Sequence, residues 1–270
     1  MLCANTTLQF KKNKMVKFSC VIITFNEERH LEKCLKSLVG IVDEIVVVDS
    51  LSTDNTKAIC QKYNVVFIEQ AFLGYLEQKN FACSKATGDY IVSLDGDEAL
   101  SKKLQEEILN LKNSVNSLED GYVVSRLNNY CGQWIKYSNW YPDKRLRIFK
   151  SGSGQWKGGN PHDYFELYSG KTSKFINADI LHWAYDTNTE HYLKVDNFTT
   201  IAANSYVKNS NKKIGILTII LNPIWKFIKN YFIKKGVLDG LNGLIICAFA
   251  SFGTFLKYIK IRELQQNKKK

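Results

Sequence analysis

The chain has 270 residues, of which 45% are hydrophobic and 13% aromatic, so the composition is that of a packed globular protein and excludes wholesale disorder. Its formal net charge is +11, but residues 211–270 hold 12 Lys and Arg against only Asp239 and Glu263, so the rest is almost neutral. Basic charge beside apolar helices, rather than on an aromatic-bearing sheet, predicts contact with an anionic surface and no nucleic-acid binding.

The N-terminal region and the cysteines point to one compartment. The first 14 residues lack the apolar stretch of a secretory signal, and we predict that residues 1–16 are an extension before the first strand. The seven cysteines are scattered without a C-x-x-C pair, and several lie in apolar runs, where reduced cysteine packs as a small hydrophobic side chain. These features predict a cytoplasmic protein.

Strands and helices alternate in the first part of the chain. Short apolar runs rich in β-branched residues predict strands at 18–25, 43–50, 65–69 and 89–98, with helices between them, the last at 80–87. This alternation predicts an α/β fold with a doubly wound, mostly parallel sheet. In such sheets ligands bind beyond the carboxyl ends of the strands.

Polar residues follow the first two strands at their carboxyl ends. Thr24, Asn26 and Glu27 end the first strand, where Asn26 and Glu27 either cap the next helix or line a base pocket. Asp49 ends the second strand, where it either caps a helix or accepts hydrogen bonds from a ribose or a base.

The fourth strand leads into Asp95, Gly96 and Asp97. Two carboxylates that converge on one point repel each other unless a cation lies between them, and their hard oxygens suit Mg²⁺ or Mn²⁺. Gly96 permits a close approach of the backbone. The alternative is a solvated acidic loop in which Asp97 caps a helix over 98–111.

Residues 121–185 are rich in aromatic residues and interrupted by Gly and Asn, which predicts strands with irregular loops, and 187–209 have helical spacing. Arg145 and Arg147 lie at alternate positions of a short strand, so both can face a diphosphate. The alternative is that they have a structural role. His182 is either a metal ligand or a packed core residue. His30 and His191 are predicted on helix surfaces.

The C-terminal segment predicts a pair of apolar helices with basic flanks. Residues 222–235 are amphipathic, and 241–256 are apolar over a stretch shorter than the roughly twenty residues of a membrane span. We therefore predict an interfacial helix pair on anionic lipid. The alternative is a helical cap on the catalytic domain or a dimer contact.

Three segments together resemble a known family: VIITFNEE, VDEIVVVDSLSTDNT and EQKNFACSKATGDYIVSLDGDE. They resemble the family 2 glycosyltransferases, which have the GT-A fold, and PDKRLRIFKSGSGQWKGGNPHDYF looks like the bacterial subgroup that builds the lipopolysaccharide core. The resemblance covers roughly residues 17–262. It implies that Thr24, Asn26, Glu27 and Asp49 hold the nucleotide, usually uridine, with Lys79 near the base. It also implies that Asp95 contacts the ribose and Asp97 the metal, Mn²⁺ or Mg²⁺.

This chain departs from the acceptor motif of that subgroup, W-x-G-x-x-H-E. The segment from Trp156 to Asp163 has a longer spacing, and Asp163 stands after His162 where Glu is usual. A carboxylate beside a tuning partner can remove the proton of an acceptor hydroxyl, so Asp163 with His162 is the predicted base, and Asp143 is the alternative.

The predicted protein is a metal-dependent, inverting glycosyltransferase that takes a UDP-sugar and adds the sugar to a glycan or glycolipid of a lipopolysaccharide-core type. Its predicted parts are a nucleotide-sugar-binding half (17–120), an acceptor-side half (121–210) and a membrane-associating extension (211–270) on the inner face of the plasma membrane. Transfer to a polyprenyl phosphate, which needs no base, and a non-catalytic membrane-associated binding module are the alternatives.

Overall fold

The computed structural model describes residues 15–114, 118–159, 162–210 and 212–267. Most of the predicted extension, residues 1–16, therefore lies outside the described residues. Asn160, Pro161 and the side chain of His162, which belong to the predicted acceptor motif, also lie outside them.

The first half of the chain builds four parallel strands. They are β1 (Phe18–Thr24), β2 (Glu44–Asp49), β3 (Val66–Glu69) and β4 (Tyr90–Asp95), and their order in space is β3-β2-β1-β4. Helices join them: α1 (Leu31–Leu38), α2 (Thr56–Cys60) and α3 (Tyr75–Lys85). All of β1 is buried, as expected for a largely apolar, β-branched strand in the middle of a parallel sheet. The predicted alternation of strands and helices is confirmed.

The second half of the chain extends the same sheet. Its elements are β5 (Glu98–Leu100), α4 (Lys102–Lys112), β6 (Gly121–Tyr130), β7 (Gln133–Ile135), β8 (Asp143–Lys150), β9 (Gly154–Gly159), β10 (His162–Leu167) and β11 (Ser173–Tyr185). β8 is antiparallel to both β4 and β6, and β11 and β5 complete the sheet beyond β6. β9 and β10 form a separate antiparallel hairpin, whose Phe165 stacks on Phe149 of the sheet.

The predicted helix at 98–111 was wrong at its start. Glu98–Leu100 form β5, which pairs with β11, so a distant strand decides the conformation of these residues. With Asp97 as its cap the helix would begin at residue 98, but α4 begins four residues later, at Lys102. Ser101 caps it instead, with a hydroxyl that accepts a hydrogen bond from an amide of the first turn.

Helices cover both faces of the sheet. On one face, Leu31 and Leu35 of α1 and Leu104 of α4 pack in the larger core cluster. On the other face, Ala82 of α3 packs with Val46 of β2. A sheet covered on both sides by helices is the doubly wound arrangement, so the predicted α/β fold class is confirmed.

Three helices end the chain: α5 (Asn188–Asn209), α6 (Ile216–Ile228) and α7 (Gly240–Asn267). A π-helical segment and a 3-10 turn connect α6 to α7. α7 packs on α5 through Ile261, Ala203 and Val207. The helix predicted at 187–209 and the two apolar helices are therefore present, although α6 begins before residue 222.

The last helix is longer than the apolar stretch that the sequence predicted. That stretch, 241–256, is too short to span a membrane, whereas the helical stretch Gly236–Asn267 has 32 residues. By length and composition it is long and apolar enough to cross a membrane, criteria that core helices of soluble proteins also meet. Only 17% of its most apolar window is buried within the chain. Most residues of that window are thus exposed or only partly buried by the described residues.

Candidate functional site

The carboxyl ends of three parallel strands lie side by side. Thr24 at the end of β1 is paired with Asp49 of β2, and its neighbour Ile23 is paired with Asp95 of β4. The three polar clusters therefore meet at one edge of the sheet, as predicted. A cavity of about 580 Å³, the first cavity, opens there, and the predicted site residues that line it are Thr24, Glu27, Lys79, Asp95, Gly96, Asp97 and Asp163.

Asn26 does not cap α1, one of its two predicted roles. Its backbone lies in the left-handed region with φ of 50°, a conformation that Asn tolerates well. Its side-chain oxygen accepts a hydrogen bond of 2.8 Å from the backbone amide of Thr53, and its backbone amide donates to the hydroxyl of Ser52. Asn26 therefore ties the loop after β1 to the loop after β2.

Asp49 is almost fully buried beside the first cavity. Its carboxylate accepts hydrogen bonds from the amide and the hydroxyl of Ser52, the first at 2.7 Å. It does not cap α2, whose capping position is Asn55. The next residue, Ser50, lines the cavity. A contact of Asp49 with a ribose or base stays a prediction.

Asp95 is held by two buried cations. Its carboxylate lies 3.1 Å from Nζ of Lys79 and 3.3 Å from Nη2 of Arg147. Burial alone would raise the pKa of Asp95, but the positive charges of Lys79 and Arg147 outweigh it and hold the pKa well below its usual range. Asp95 is therefore ionised at neutral pH.

Asp97 faces the first cavity together with His182. Nε2 of His182 lies 3.3 Å from Oδ2 of Asp97, while its Nδ1 lies 2.6 Å from Oδ1 of Asn128. Burial opposes ionisation of Asp97, but the imidazole of His182 lowers its pKa below the usual value. His182 is thus a residue of the site edge rather than of the apolar core, and it orients the carboxylate that we predict for the metal.

Three residues around Asp97 fit a divalent cation with phosphate oxygens. Burial, followed by the negative charge of Asp97, raises the pKa of Glu27 to about 8, so Glu27 is largely neutral at pH 7 and the positive charge of a bound cation would favour its ionisation. Among the described residues, none forms a hydrogen bond with the buried hydroxyl of Thr24. A Cβ on Gly96 would come within 2.9 Å of that hydroxyl, so only glycine leaves this space open.

A complete metal cage is not built from protein side chains alone. Among the described ranges of the chain, no group of three or more His, Cys, Asp or Glu side chains is placed to hold a metal ion. A metal held by Asp97 would thus need further oxygens from a ligand. A diphosphate provides such oxygens.

Asp163 lies on β10, and its Oδ2 is 2.6 Å from Nζ of Lys79. The same ammonium binds Asp95, so Lys79 bridges the two carboxylates while its Nζ lies 4.5 Å from the ring centre of Trp156. The alternative base, Asp143, is paired with two arginines, whose charges lower its pKa against the effect of burial, and it does not line the first cavity. The geometry therefore favours Asp163.

The two arginines of β8 lie away from the first cavity. Arg145 and Arg147 line a second cavity of about 170 Å³, which shares Lys79, Asp95 and Asp163 with the first. Arg147 is buried, and its Nη2 lies 3.1 Å from the buried Glu98. Contact of either arginine with a donor diphosphate stays a prediction, since neither arginine lines the first cavity.

His30 and His191 are not surface residues, so that prediction was wrong. His30 is buried, its Nε2 lies 2.9 Å from Asp186, and its ring stacks on Trp183. His191 is buried and bonds to the hydroxyl of Tyr130 at 3.0 Å. His30, which precedes α1, packs against the end of β11, and His191 on α5 faces Tyr130 of β6; both contacts join residues far apart in the sequence.

Sequence reasoning missed an aromatic rim around the first cavity. Phe25, Phe72, Tyr75 and Phe198 line its mouth, and each is exposed. Glu98, which pairs with Arg147, was also missed because it reads as one more acidic residue after Asp97. The run Phe72-Leu73 in a polar stretch was the available signal, since exposed apolar residues often mark a binding surface.

Most of the chain is similar in sequence to known glycosyltransferases. Residues 19–170 match the sequence pattern of glycosyl transferase family 2. An uncharacterized glycosyltransferase of Rickettsia felis is 30% identical over 267 residues, which cover 92% of this chain and 90% of that protein. The lipopolysaccharide core biosynthesis glycosyltransferase LpsC of Rhizobium meliloti is 29% identical over 248 residues, which cover 90% of this chain and 91% of that protein.

Solved structures show more distant likenesses. Residues 1–349 of S. aureus TarS, in complex with UDP-GlcNAc, align over 93% of this chain and 92% of that one, with 15% identity and a TM-score of 0.46. Glucosyl-3-phosphoglycerate synthase from Mycobacterium tuberculosis, in complex with Mn²⁺, UDP and phosphoglyceric acid, aligns over 42% of this chain and 44% of that one, with 20% identity and a TM-score of 0.34. The sequence identities, rather than these likenesses, carry the family relation.

Proposed function

The chain belongs to glycosyl transferase family 2, and we propose that it transfers a sugar from a UDP-sugar to a saccharide hydroxyl, with inversion at the anomeric carbon. The observation that carries this proposal is the meeting of Asp95, Asp97 and Asp163 around one cavity beyond the ends of parallel strands. The similarity to LpsC supports a cell-surface glycan of the lipopolysaccharide-core type as the product.

The nucleotide of the donor would lie along the loops after β1 and β2. Thr24, Asn26, Glu27 and Asp49 would hold it, because Asn26 joins the two loops and Thr24 is paired with Asp49. Asp95 would accept hydrogen bonds from the ribose, as an ionised carboxylate at neutral pH can. The space beside Gly96 would admit the diphosphate.

Asp97 would hold Mn²⁺ or Mg²⁺ together with oxygens of the diphosphate. Its carboxylate is ionised at neutral pH, and His182 fixes its orientation. A bound divalent cation neutralises the charge that develops on the leaving diphosphate. Glu27 lies close enough to Asp97 to sense its charge, and a bound cation would favour the ionised form of Glu27.

Asp163 would act as the base of a single displacement. The acceptor oxygen forms the new bond to the anomeric carbon, and the bond to the diphosphate oxygen breaks with its electron pair on the diphosphate. The proton of the acceptor hydroxyl goes to Asp163. Lys79 holds one carboxylate oxygen at 2.6 Å and leaves the other for the proton.

The C-terminal helices would hold the protein on the inner face of the plasma membrane, where a glycolipid acceptor is available. Trp225 and Phe232 expose 57% and 61% of their surface, and four lysines lie among such apolar residues at positions 226, 229, 234 and 235. Exposed apolar side chains beside lysines suit an interface with anionic lipid. Peripheral attachment is consistent with the packing of α7 on α5.

A thermal-shift screen tests the donor and metal assignments. UDP-glucose and UDP-N-acetylglucosamine are added with Mn²⁺ or with EDTA, and a ligand at 100 times its Kd should stabilise the protein by about 2.7 kcal/mol. We expect stabilisation with Mn²⁺, a smaller effect with EDTA, and little effect of Mn²⁺ in Asp97→Ala. Glu106→Ala, on the exposed side of α4, is the matched control. No stabilisation by any uridine or guanosine diphosphate-sugar would contradict the proposed function.

A further inference from the structure

The second cavity lies next to the first cavity and shares three lining residues with it. Lys79, Asp95 and Asp163 form a wall that faces both cavities. The remaining side of the second cavity comes from β6, β8 and the β9–β10 hairpin. Its volume of about 170 Å³ is below the roughly 300–1,000 Å³ of pockets that take drug-sized ligands, so it suits one small group or one sugar ring.

Cationic side chains dominate this cavity. Its lining includes Lys79, Arg126, Lys144, Arg145 and Arg147. Four carboxylates pair with them: Asp95 and Asp163 in the wall, and Glu98 and Asp143 next to it. Five positive charges thus face four negative ones, and the excess positive charge belongs to Lys144, an exposed residue of the lining.

Several of these cations have hydrogen-bond donors to spare. The buried Nε of Arg147 has no hydrogen-bond partner in the part of the chain that the structure describes. Arg145 donates through Nε to Asp143, and within the described part of the chain its two Nη groups have no hydrogen bond or ion pair. The ammonium of Lys144 contacts only the ring of Phe175 among the described residues, at 4.7 Å from its centre. The cavity therefore offers donors and positive charge.

A neutral sugar would match this lining poorly. Its hydroxyls need acceptors as well as donors, but the lining has five cations and only two carboxylates, and one oxygen of each carboxylate already accepts from Lys79 or Arg147. A carboxylate or phosphate is acceptor-only, and guanidinium groups bind it with short, charge-assisted hydrogen bonds. The donor diphosphate is not the natural occupant, because Arg126, Lys144 and Arg145 do not line the first cavity, where Gly96 and Asp97 lie.

We propose, on the basis of the glycosyl transfer proposed above, that the second cavity binds an acidic group, a carboxylate or a phosphate, carried by a sugar that takes part in the reaction. That sugar is either a uronic acid on the UDP donor or an acidic residue of the acceptor. The acidic group can come from the donor or from the acceptor, because Asp163 lines both cavities. Lys144, Arg145 and Arg147 are then the residues that select the acidic substrate.

Isothermal titration calorimetry on the full chain distinguishes the two sources. The donor arm compares UDP-glucuronic acid with UDP-glucose in the presence of Mn²⁺. The acceptor arm compares glucose 6-phosphate and glucuronic acid with glucose, with UDP and Mn²⁺ present. Arg145→Met and Lys144→Met remove a charge and keep an aliphatic side chain, and the control Lys150→Met changes the exposed end of the same strand.

In either the donor arm or the acceptor arm, the wild type should bind the acidic sugar at least about tenfold more tightly than its neutral counterpart, as a charge-assisted contact implies. Arg145→Met or Lys144→Met should reduce that preference to about twofold or less, while Lys150→Met keeps it. Equal binding of acidic and neutral sugars in both arms would overturn the proposal. So would a preference that survives in both variants. Titration with UDP alone reads out the donor site separately, so its failure would contradict the proposed function rather than the acidic subsite.

Discussion

Lys79 has an unusual position for a charged residue. Its side chain is only 4% exposed, and it contacts Asp95, Asp163 and the ring of Trp156. A buried ammonium is stable only when carboxylates compensate its charge, and the carboxylates need it equally. Lys79 is thus a positioning residue that sets where both carboxylates stand.

Lys79→Met should destabilise the protein and reduce transfer. The loss of stability should be smaller than the about 3–5 kcal/mol typical of breaking a fully buried ion pair. The reason is that Asp95 and Asp163 are 27% and 24% exposed and regain some water. Urea unfolding gives the free energy, with Lys85→Met, at the exposed end of α3, as the control. Equal stability of Lys79→Met and Lys85→Met would contradict the assigned ion pairs.

Asp163→Asn tests the base. If the acceptor is a hydroxyl, loss of the base should lower kcat about 10²–10⁴-fold while UDP binding persists. Asp143→Asn should have a much smaller effect, because two arginines already hold that carboxylate. A nearly silent Asp163→Asn would instead indicate an acceptor that is already ionised, such as a polyprenyl phosphate. A larger loss in Asp143→Asn would make Asp143 the base.

At the level of elements, α5 is fixed to the sheet by a buried polar contact. His191 bonds to the hydroxyl of Tyr130, and Asn188 accepts a hydrogen bond from the same hydroxyl at 2.7 Å. Burial, followed by the charge of Lys194, lowers the pKa of His191 to about 4. His191 is therefore neutral in the folded protein at pH values where an unfolded histidine takes up a proton.

This shift predicts a loss of stability in acid. The stabilising contribution of neutral His191 is complete above pH 6.5 and is lost as the pH falls toward 4, because the unfolded chain binds the proton more readily. The free energy of unfolding of the wild type should thus fall relative to that of His191→Gln between pH 6.5 and 4. The difference should stay constant between pH 7 and 8. Urea unfolding at several pH values measures it, and parallel curves down to pH 4 would contradict the shifted pKa.

Elements whose structure depends on local sequence were predicted well. The apolar runs identified β1, β2 and β4 because a central parallel strand is buried on both faces. The short apolar run of β3 was also identified, although β3 is a partly exposed edge strand. β5 was missed because its three residues become a strand only by pairing with β11. The ends of α6 and α7 were missed because apolar helix residues without clear caps carry no boundary signal.

For the whole molecule, exposed apolar helices predict membrane attachment. Trp225→Glu combined with Phe232→Glu should greatly reduce co-sedimentation with vesicles that contain anionic lipid, since both side chains are exposed beside lysines. Tyr168→Glu, an exposed aromatic after β10, is the control. High salt should weaken the wild-type binding. Unchanged binding of the double variant would contradict the attachment, and resistance to alkaline carbonate extraction would indicate that α7 crosses the bilayer.

The candidate site could be predicted only in part. Asp49, Asp95 and Asp97 follow strands, and parallel strands bring their carboxyl ends to one edge, so this convergence was accessible to sequence reasoning. The contact of Lys79 with Asp163 joins residues 84 positions apart, on a helix and on a separate hairpin. The second cavity depends on the pairing of β8 with β6, which no sequence motif predicts.

The wall of Lys79, Asp95 and Asp163 is shared by the two cavities, so binding in one can be coupled to binding in the other. A charge bound on one side changes the field at the same three groups on the other side. If an acidic ligand changes the affinity for UDP by some factor, UDP must change the affinity for that ligand by the same factor. A positive coupling would let the protein retain its donor most firmly when the second cavity is filled, which would limit the wasteful hydrolysis of the donor.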